Sequence, residues 1–399
     1  MSDHELAEDH NSRLIAGRRL SPFGAMLTQF FGFGIAAGLW AGSVPFVANQ
    51  AKMTTLDIGR AFTLFTAGYI VAMTLGGGAM RLASPRAVML MALPVNALAM
   101  AGLLLSTSTL QVTICLAAVG LIMGLIDLVM NTEGTFVEKD MRRPILVRLH
   151  CFASLGTGIG AIAGSAFALT IGLFASVALS TLALTIGFIA IHRATPERMR
   201  LSGTKGGLWA AYSPSLMILG IIFGIGAAGE TSASIWSARL LSEQAPSLAA
   251  ISGIGVSFFA GCQVLMRFFG DRLRQTFSDA TLVAVSLGFA TIGFSVVGMS
   301  DGFAASVIGF AFVGLGTALQ VPCIFSIAAR LNPQNGGSAL SLVALIAGLP
   351  RLAAPWAFGE VASHTTTGIA FDLIAGAFII AVCLAIIVRW RFEALATSA

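Results

Sequence analysis

Residues 109–172 read TLQVTICLAAVGLIMGLIDLVMNTEGTFVEKDMRRPILVRLHCFASLGTGIGAIAGSAFALTIG. Two apolar runs, near 109–132 and 150–171, flank a short polar hinge carrying Lys139, Arg142, Arg143 and Arg148. Each run is as long as the roughly 20 residues that cross a bilayer core. The hinge bears the lysines and arginines that hold a loop on one side of a membrane. Working outward, runs of similar size lie near 22–48, 58–80, 87–106 and 174–192, and then near 209–229, 249–269, 279–299, 303–329, 338–359 and 368–389. The sum is twelve, split six and six by the polar stretch from His192 to Gly207. The reading is an all-α integral membrane protein, in two pseudo-symmetric six-helix bundles.

Composition excludes other classes. Of 399 residues, 56% are hydrophobic and 10% charged, against about 25% charged in soluble domains. A net charge of +5 does not point to nucleic acid, because the basic residues sit in short clusters between apolar runs. The five cysteines all fall inside apolar runs, without metal-ligand spacing, and read as small buried residues. There is no phosphate-binding loop, no HExxH and no nucleophile elbow, so neither an enzyme nor a cofactor or metal site is expected. The acidic start (Asp3, Glu5, Glu8, Asp9) is unlike a cleaved leader, so the first apolar run reads as a retained helix.

Alternating the chain from an N-terminus inside places nearly all basic residues on one side, leaving Lys52, Arg60 and Arg239 outside and Arg351 within helix 11. That asymmetry predicts both termini in the cytoplasm. The expected organisation is a cytoplasmic tail (1–21), a first bundle (22–192), a cytoplasmic linker (193–208), a second bundle (209–389) and a short cytoplasmic tail (390–399). The halves echo each other: Phe31-Gly-Phe-Gly in Phe223-Gly-Ile-Gly, Ala79-Met80-Arg81 in Gly270-Asp271-Arg272, and Val119-Gly120-Leu121 in Val313-Gly314-Leu315, all at nearly one displacement. Such a parallel duplication suits transporters that rock two halves around a central site.

Asp271-Arg272-Leu273, followed by Arg274, resembles the loop signature of the major facilitator superfamily. In the N-terminal copy, Met80 stands where the acid is usual, beside Arg81. Asp127-Leu-Val-Met-Asn131, running on to Arg148-Leu-His150, resembles the fucose-permease-like branch, together with Trp40-Ala-Gly-Ser-Val-Pro45 and Glu230 with Trp236-Ser237. Within it the chain is most similar to uncharacterised bacterial inner-membrane proteins and the membrane protein of rhizopine-synthesis loci. The resemblance implies a bacterial inner-membrane location and makes Asp127 the proton-linked acid of helix 4. The branch's second acid, in helix 1 before the proline, is replaced here by Ala41, and the acid before the helix 7 tryptophan by Ile235.

A charge in the bilayer interior costs at least about 2.5–3.5 kcal/mol on insertion scales, so Asp127, Glu230 and Arg351 are expected to face a cavity or a partner. Asp127 is expected on the cytoplasmic side of the middle of helix 4, and Glu230 toward the outer end of helix 7. Burial disfavours the charged form of a carboxyl and a nearby arginine favours it, which suits proton coupling by Asp127 and Glu230. Arg351 reads as a fixed ion pair, as the residue that recognises an anionic or strongly polar substrate or exchanges acid partners during transport, or as an arginine snorkelling outward. Trp40, Asn131, Trp236, Gln320 and Arg351 are the candidate substrate-binding residues, with Trp356, Thr231, Ser232 and Asn96 as further polar or aromatic neighbours; packing is the competing reading for the tryptophans. Gly156, Gly160 and Gly164 share one helix face and read as a packing stripe. His150, at the mouth of helix 5, is either a proton gate or an ordinary loop-end histidine. Arg60, Glu360 and Asp372 read as solvated anchors, and Arg81, Asp271 and Arg272 as a conformational latch. The expected function is a proton-coupled secondary transporter, working as a monomer, for a small polar solute such as a sugar or polyol derivative. An efflux antiporter for amphipathic compounds, or a transporter-derived solute sensor, are the alternatives.

Overall fold

Helix boundaries follow from local chemistry. Ser21, Ser84, Ser108 and Ser278 each accept a backbone N–H three residues on, and Thr54 forms a reciprocal capping box with Asp57. Prolines in the first helical turn start two of these segments, at Pro22 and Pro85, and one more at Pro214. The computed structural model describes residues 20–143, 145–194, 212–332 and 336–396. Most of the expected linker and tails therefore lies outside the described residues.

The helices are α1 (Pro22–Gln50), α2 (Thr55–Leu82), α3 (Pro85–Leu104), α4 (Thr109–Met141), α5 (Leu146–Thr170), α6 (Leu173–Ala194), α7 (Pro214–Gln244), α8 (Ile254–Thr276), α9 (Asp279–Met299), α10 (Phe303–Thr317, resuming at Gln320–Leu331), α11 (Gly336–His364) and α12 (Thr367–Ala396). No strand occurs among the described residues. Eleven segments, with the two parts of α10 counted as one, are long and apolar enough to cross a membrane. The twelfth, α8, has 23 residues but carries Gln263, Arg267, Asp271, Arg272 and Arg274. It can do so because it is wedged between α5, α7 and α10, so its polar face meets protein and cavity rather than lipid.

The two halves repeat one pairing scheme. In the first, α1 packs on α5, α2 on α4 and α3 on α6; in the second, α7 packs on α11, α8 on α10 and α9 on α12. The halves meet chiefly along α2–α11 and α5–α8. Those meetings gather toward the end away from the basic loops. There Gly59 faces Pro355 and Gly359, a Cβ on Gly253 would overlap the Ala161 carbonyl, and the Ser165 hydroxyl donates to the Ala250 carbonyl at 3.1 Å. Arg239 pairs with Glu243 at 2.8 Å and reaches Thr55 across the boundary at 3.2 Å. At the basic end, a cavity of about 780 Å³ separates Val147, Arg148 and Cys151 of α5 from Asp271 and Arg274 on α8.

One correction follows from α7. It runs to Gln244 rather than ending near 229, which puts Glu230 at the middle of the helix and not toward its outer end. The polar string Glu230-Thr231-Ser232 breaks the apolar run because it faces the protein interior, not because the helix stops. Helix α4 likewise continues past 132 to Met141.

The α1–α5 contact is built by glycines on both sides. A Cβ at Gly34, Gly38 or Gly42 would sit 2.0–2.1 Å from a carbonyl oxygen of α5, and one at Gly156, Gly160 or Gly164 would sit 2.3–2.4 Å from a carbonyl of α1. Van der Waals contact between backbones replaces the hydrophobic drive that lipid does not supply. Gly38→Ala is therefore expected to destabilise the fold by about 1–3 kcal/mol or more through forced separation of the helices. Gly77→Ala, with nothing within 4 Å, is expected to leave stability unchanged. Thermal unfolding of the purified proteins in detergent compares the two.

Candidate functional site

A cavity of about 380 Å³ lies between the halves, walled chiefly by α1, α2, α5, α7, α8 and α11, with Met123 of α4 and Val321 of α10. Seven rings line it: Phe33, Trp40, Phe62, Phe65 and Tyr69 from the first half, Phe223 and Phe259 from the second. Among them stand Glu230, Thr231, Gln263 and Arg351, with Thr66, Ser154, Thr157 and Ser234. The helices that carry these side chains are the ones that form the boundary between halves, so relative movement of the halves must alter the site.

Two polar clusters meet at this cavity. In the first half, Tyr69 donates its hydroxyl hydrogen to Asp127 Oδ2. Asn131 Nδ2 donates to Asp127 Oδ1 at 2.9 Å, and its Oδ1 lies 2.9 Å from His150 Nε2. Because the Asn131 amide nitrogen faces Asp127, its oxygen must accept, and His150 carries its proton on Nε2. The result is a hydrogen-bonded line from the cavity wall at Tyr69, through Asp127 and Asn131, to the first turn of α5 at the basic end. Asp127 itself stands one hydrogen bond behind the wall. In the second half, Gln263 Nε2 donates to Glu230 Oε1 at 2.6 Å and to Thr317 Oγ1 at 3.1 Å. Arg267, one turn further along α8, donates to Ser154 of α5 at 2.8 Å.

Arg351 joins the clusters without an ion pair. Its guanidinium carbon lies 4.8 Å from the centre of the Tyr69 ring, across the boundary between α2 and α11, a cation–π distance. Among the described residues no carboxylate lies within ion-pair distance of it. The fixed ion pair considered from sequence is thus absent.

The other expected site residues are distributed unevenly. Trp40 lines the cavity, in contact with Phe62 at 5.9 Å between ring centres. Trp236 does not: it is fully buried and stacks on Phe358 at 4.6 Å within the second half. Trp356 is half exposed on the outside of the bundle. Asn131 belongs to the Asp127 line rather than to the cavity wall. Gln320 is buried at the break in α10, bonded to the Gly316 carbonyl, and Asn96 is buried within the first half. Glu360 meets His364, at 3.3 Å, near the end of α11.

At the basic end, Arg81 and Arg272 are exposed, and Asp271 faces the cavity there; among the described residues these three make no ion pair with one another. The ion pairs at that end are held by Asp279, which accepts from Arg274 at 2.9 Å and Arg330 at 2.7 Å, clamping α8, α9 and α10 together. Sequence reading missed Asp279, Gln263, Thr317 and Tyr69. Tyr69 had a usable signal, being one of two tyrosines in the chain and set in the middle of an apolar run.

No family model matches the chain. It is 27% identical over 363 residues to the uncharacterized transporter y4wD of Sinorhizobium fredii, covering 90% of this chain and 95% of that one. It is 28% identical over 349 residues to an uncharacterized MFS-type transporter of Yersinia pestis (87% and 90% covered), and 24% identical over 365 residues to the membrane protein MosC of Rhizobium meliloti (91% and 89% covered). Among solved structures it superposes on the nucleoside transporter NupG with a TM-score of 0.73 at 12% identity (94% and 98% covered), and on the human organic anion transporter MFSD10 with 0.61 at 17% (91% and 97% covered).

Asp279→Asn leaves Arg274 and Arg330 facing a neutral amide. With the acid buried but both arginines partly exposed, the expected loss is about 1–3 kcal/mol. Arg330→Gln is expected to cost less. Thermal unfolding of the two variants ranks them.

Proposed function

We propose that this chain, which has the fold of the major facilitator transporters, is a proton-coupled secondary transporter that moves a small polar solute by alternating access. Asp127 carries the proton, Glu230 is the second acid, and the cavity between them binds the solute. The observation that carries this reading is the line His150–Asn131–Asp127–Tyr69, which connects the cavity wall to the basic end through hydrogen-bonding groups. A carboxyl on such a line can exchange protons with one side while sensing what occupies the cavity.

Both termini, and with them the basic end, are placed in the cytoplasm by the positive-inside rule. In that orientation, the tight contacts at the far end and the gap between α5 and α8 at the basic end describe an inward-facing state. Arg81, Asp271 and Arg272, which make no ion pair with one another among the described residues, would latch when the cytoplasmic ends close. A bacterial inner membrane suits this topology, and the fucose-permease-like branch is supported by the Asp127–Asn131 spacing.

The sequence favours a sugar or polyol derivative as solute. The seven rings around the cavity favour a second reading, an amphipathic compound carried in or out. Labelled candidates of both kinds, offered to proteoliposomes under an imposed pH gradient, are expected to reveal gradient-driven accumulation. Asp127→Asn is expected to lower that accumulation at least about tenfold while solute exchange at equal pH persists. Undiminished accumulation by the variant would remove Asp127 from the proton role.

A further inference from the structure

Arg351 lies mid-way along α11, in a segment that crosses the membrane. A cation there carries the insertion cost of about 2.5–3.5 kcal/mol and is ordinarily met by a carboxylate. Both nearby acids are otherwise engaged. Asp127 accepts from Tyr69 and Asn131, and Glu230 accepts from Gln263. Arg351 instead lies over the Tyr69 ring, lines the cavity, and has a buried Nε without a hydrogen-bond partner. A guanidinium carries five N–H donors in its plane, more than one tyrosine can satisfy, so donors remain for an acceptor in the cavity. The remaining wall is largely aromatic, with Trp40, Phe62 and Phe65 on one side and Phe223 and Phe259 on the other.

We propose that the cavity binds a small aromatic carboxylate, its carboxyl group docked on the edge of Arg351 and its flat body held between the rings of the two halves. This proposal rests on reading the cavity as the transport site. Arg351 is the one cation among the described lining residues of the cavity, which favours a monoanion over a phosphate ester. At about 380 Å³ the cavity is near the lower limit of the about 300–1,000 Å³ of ligand pockets, fitting one small ring compound. Thr66, Thr157 and Thr231 offer hydroxyls to ring substituents. A carboxylate there would give Arg351 the bidentate partner that the protein withholds. Because Tyr69 and Arg351 belong to different halves, the ligand's charge would act on the same pair that links Asp127 to the second half.

The test is direct binding to the purified full-length protein in detergent, read by thermal unfolding and calorimetry. The probes are 4-hydroxybenzoate, phenylacetate and indole-3-acetate, their primary amides, and glucose and myo-inositol. The acids are expected to bind at least about tenfold more tightly than their amides, and the sugar and polyol not to bind. Arg351→Gln is expected to abolish the preference for acid over amide, and Arg351→Lys to keep part of it. Equal binding of acids and amides, binding of glucose or inositol in place of the acids, no binding of any acid, or an acid preference surviving Arg351→Gln would each overturn the proposal. The acid–amide comparison uses the unmodified protein, so a variant that fails to fold leaves the question decidable. Binding is measured without a pH gradient, so loss of proton coupling and loss of the ligand class are read separately.

Discussion

Hydrocarbon offers no partner to a backbone amide or a side-chain charge, and the architecture follows from meeting that demand inside the protein. The backbone is satisfied by running as helix through nearly all of each span, with a short break in α10 between Thr317 and Gln320. The helices are then held by close approach, since lipid supplies no hydrophobic drive to associate. The reciprocal glycines of α1 and α5 bring carbonyl oxygens to where a Cβ would sit, and Gly59 and Gly359 do the same between halves. Asp127, Glu230 and Arg351 are each turned toward the cavity or another polar group.

The same constraint arranges the site. Asp127 is held by Tyr69 and Asn131, Glu230 by Gln263, and Arg351 by the face of an aromatic ring. The halves contribute unequally: the first brings an acid with a hydrogen-bonded route to one end, the second an acid with a local amide and a cation. They are linked by Tyr69 with Arg351, across α2 and α11, and by Arg267 with Ser154, across α8 and α5. Those contacts are sensitive to any rocking of one half against the other, whereas the Asp279 clamp lies wholly within the second half and moves as a unit with it.

Much of this was legible in the chain and some of it was not. Asp127, Glu230 and Arg351 were conspicuous because a charge in an apolar run is costly wherever the helix sits. Glu230 was misplaced along its helix for the complementary reason: a cavity-facing polar string looks like the end of a span when only hydropathy is read. The α8 segment shows the same effect, being too polar to pass as a span by composition and yet packed within the bundle. Tyr69, Gln263 and Thr317 carry no charge, so nothing in the cost of burial marked them.

The sequence by itself determined the membrane class, the twelve-helix division into related halves and the buried charges, because these depend on local composition and on the length that crosses a bilayer. Tertiary structure decided who meets whom. It gave Arg351 a tyrosine ring instead of a carboxylate, took Trp236 out of the cavity and left Trp40 in it, and moved the ion pairs of the basic end to Asp279. Those outcomes depend on how each helix is rotated about its axis and on which neighbour it faces, and a periodicity spread evenly around an apolar helix in lipid does not encode that angle.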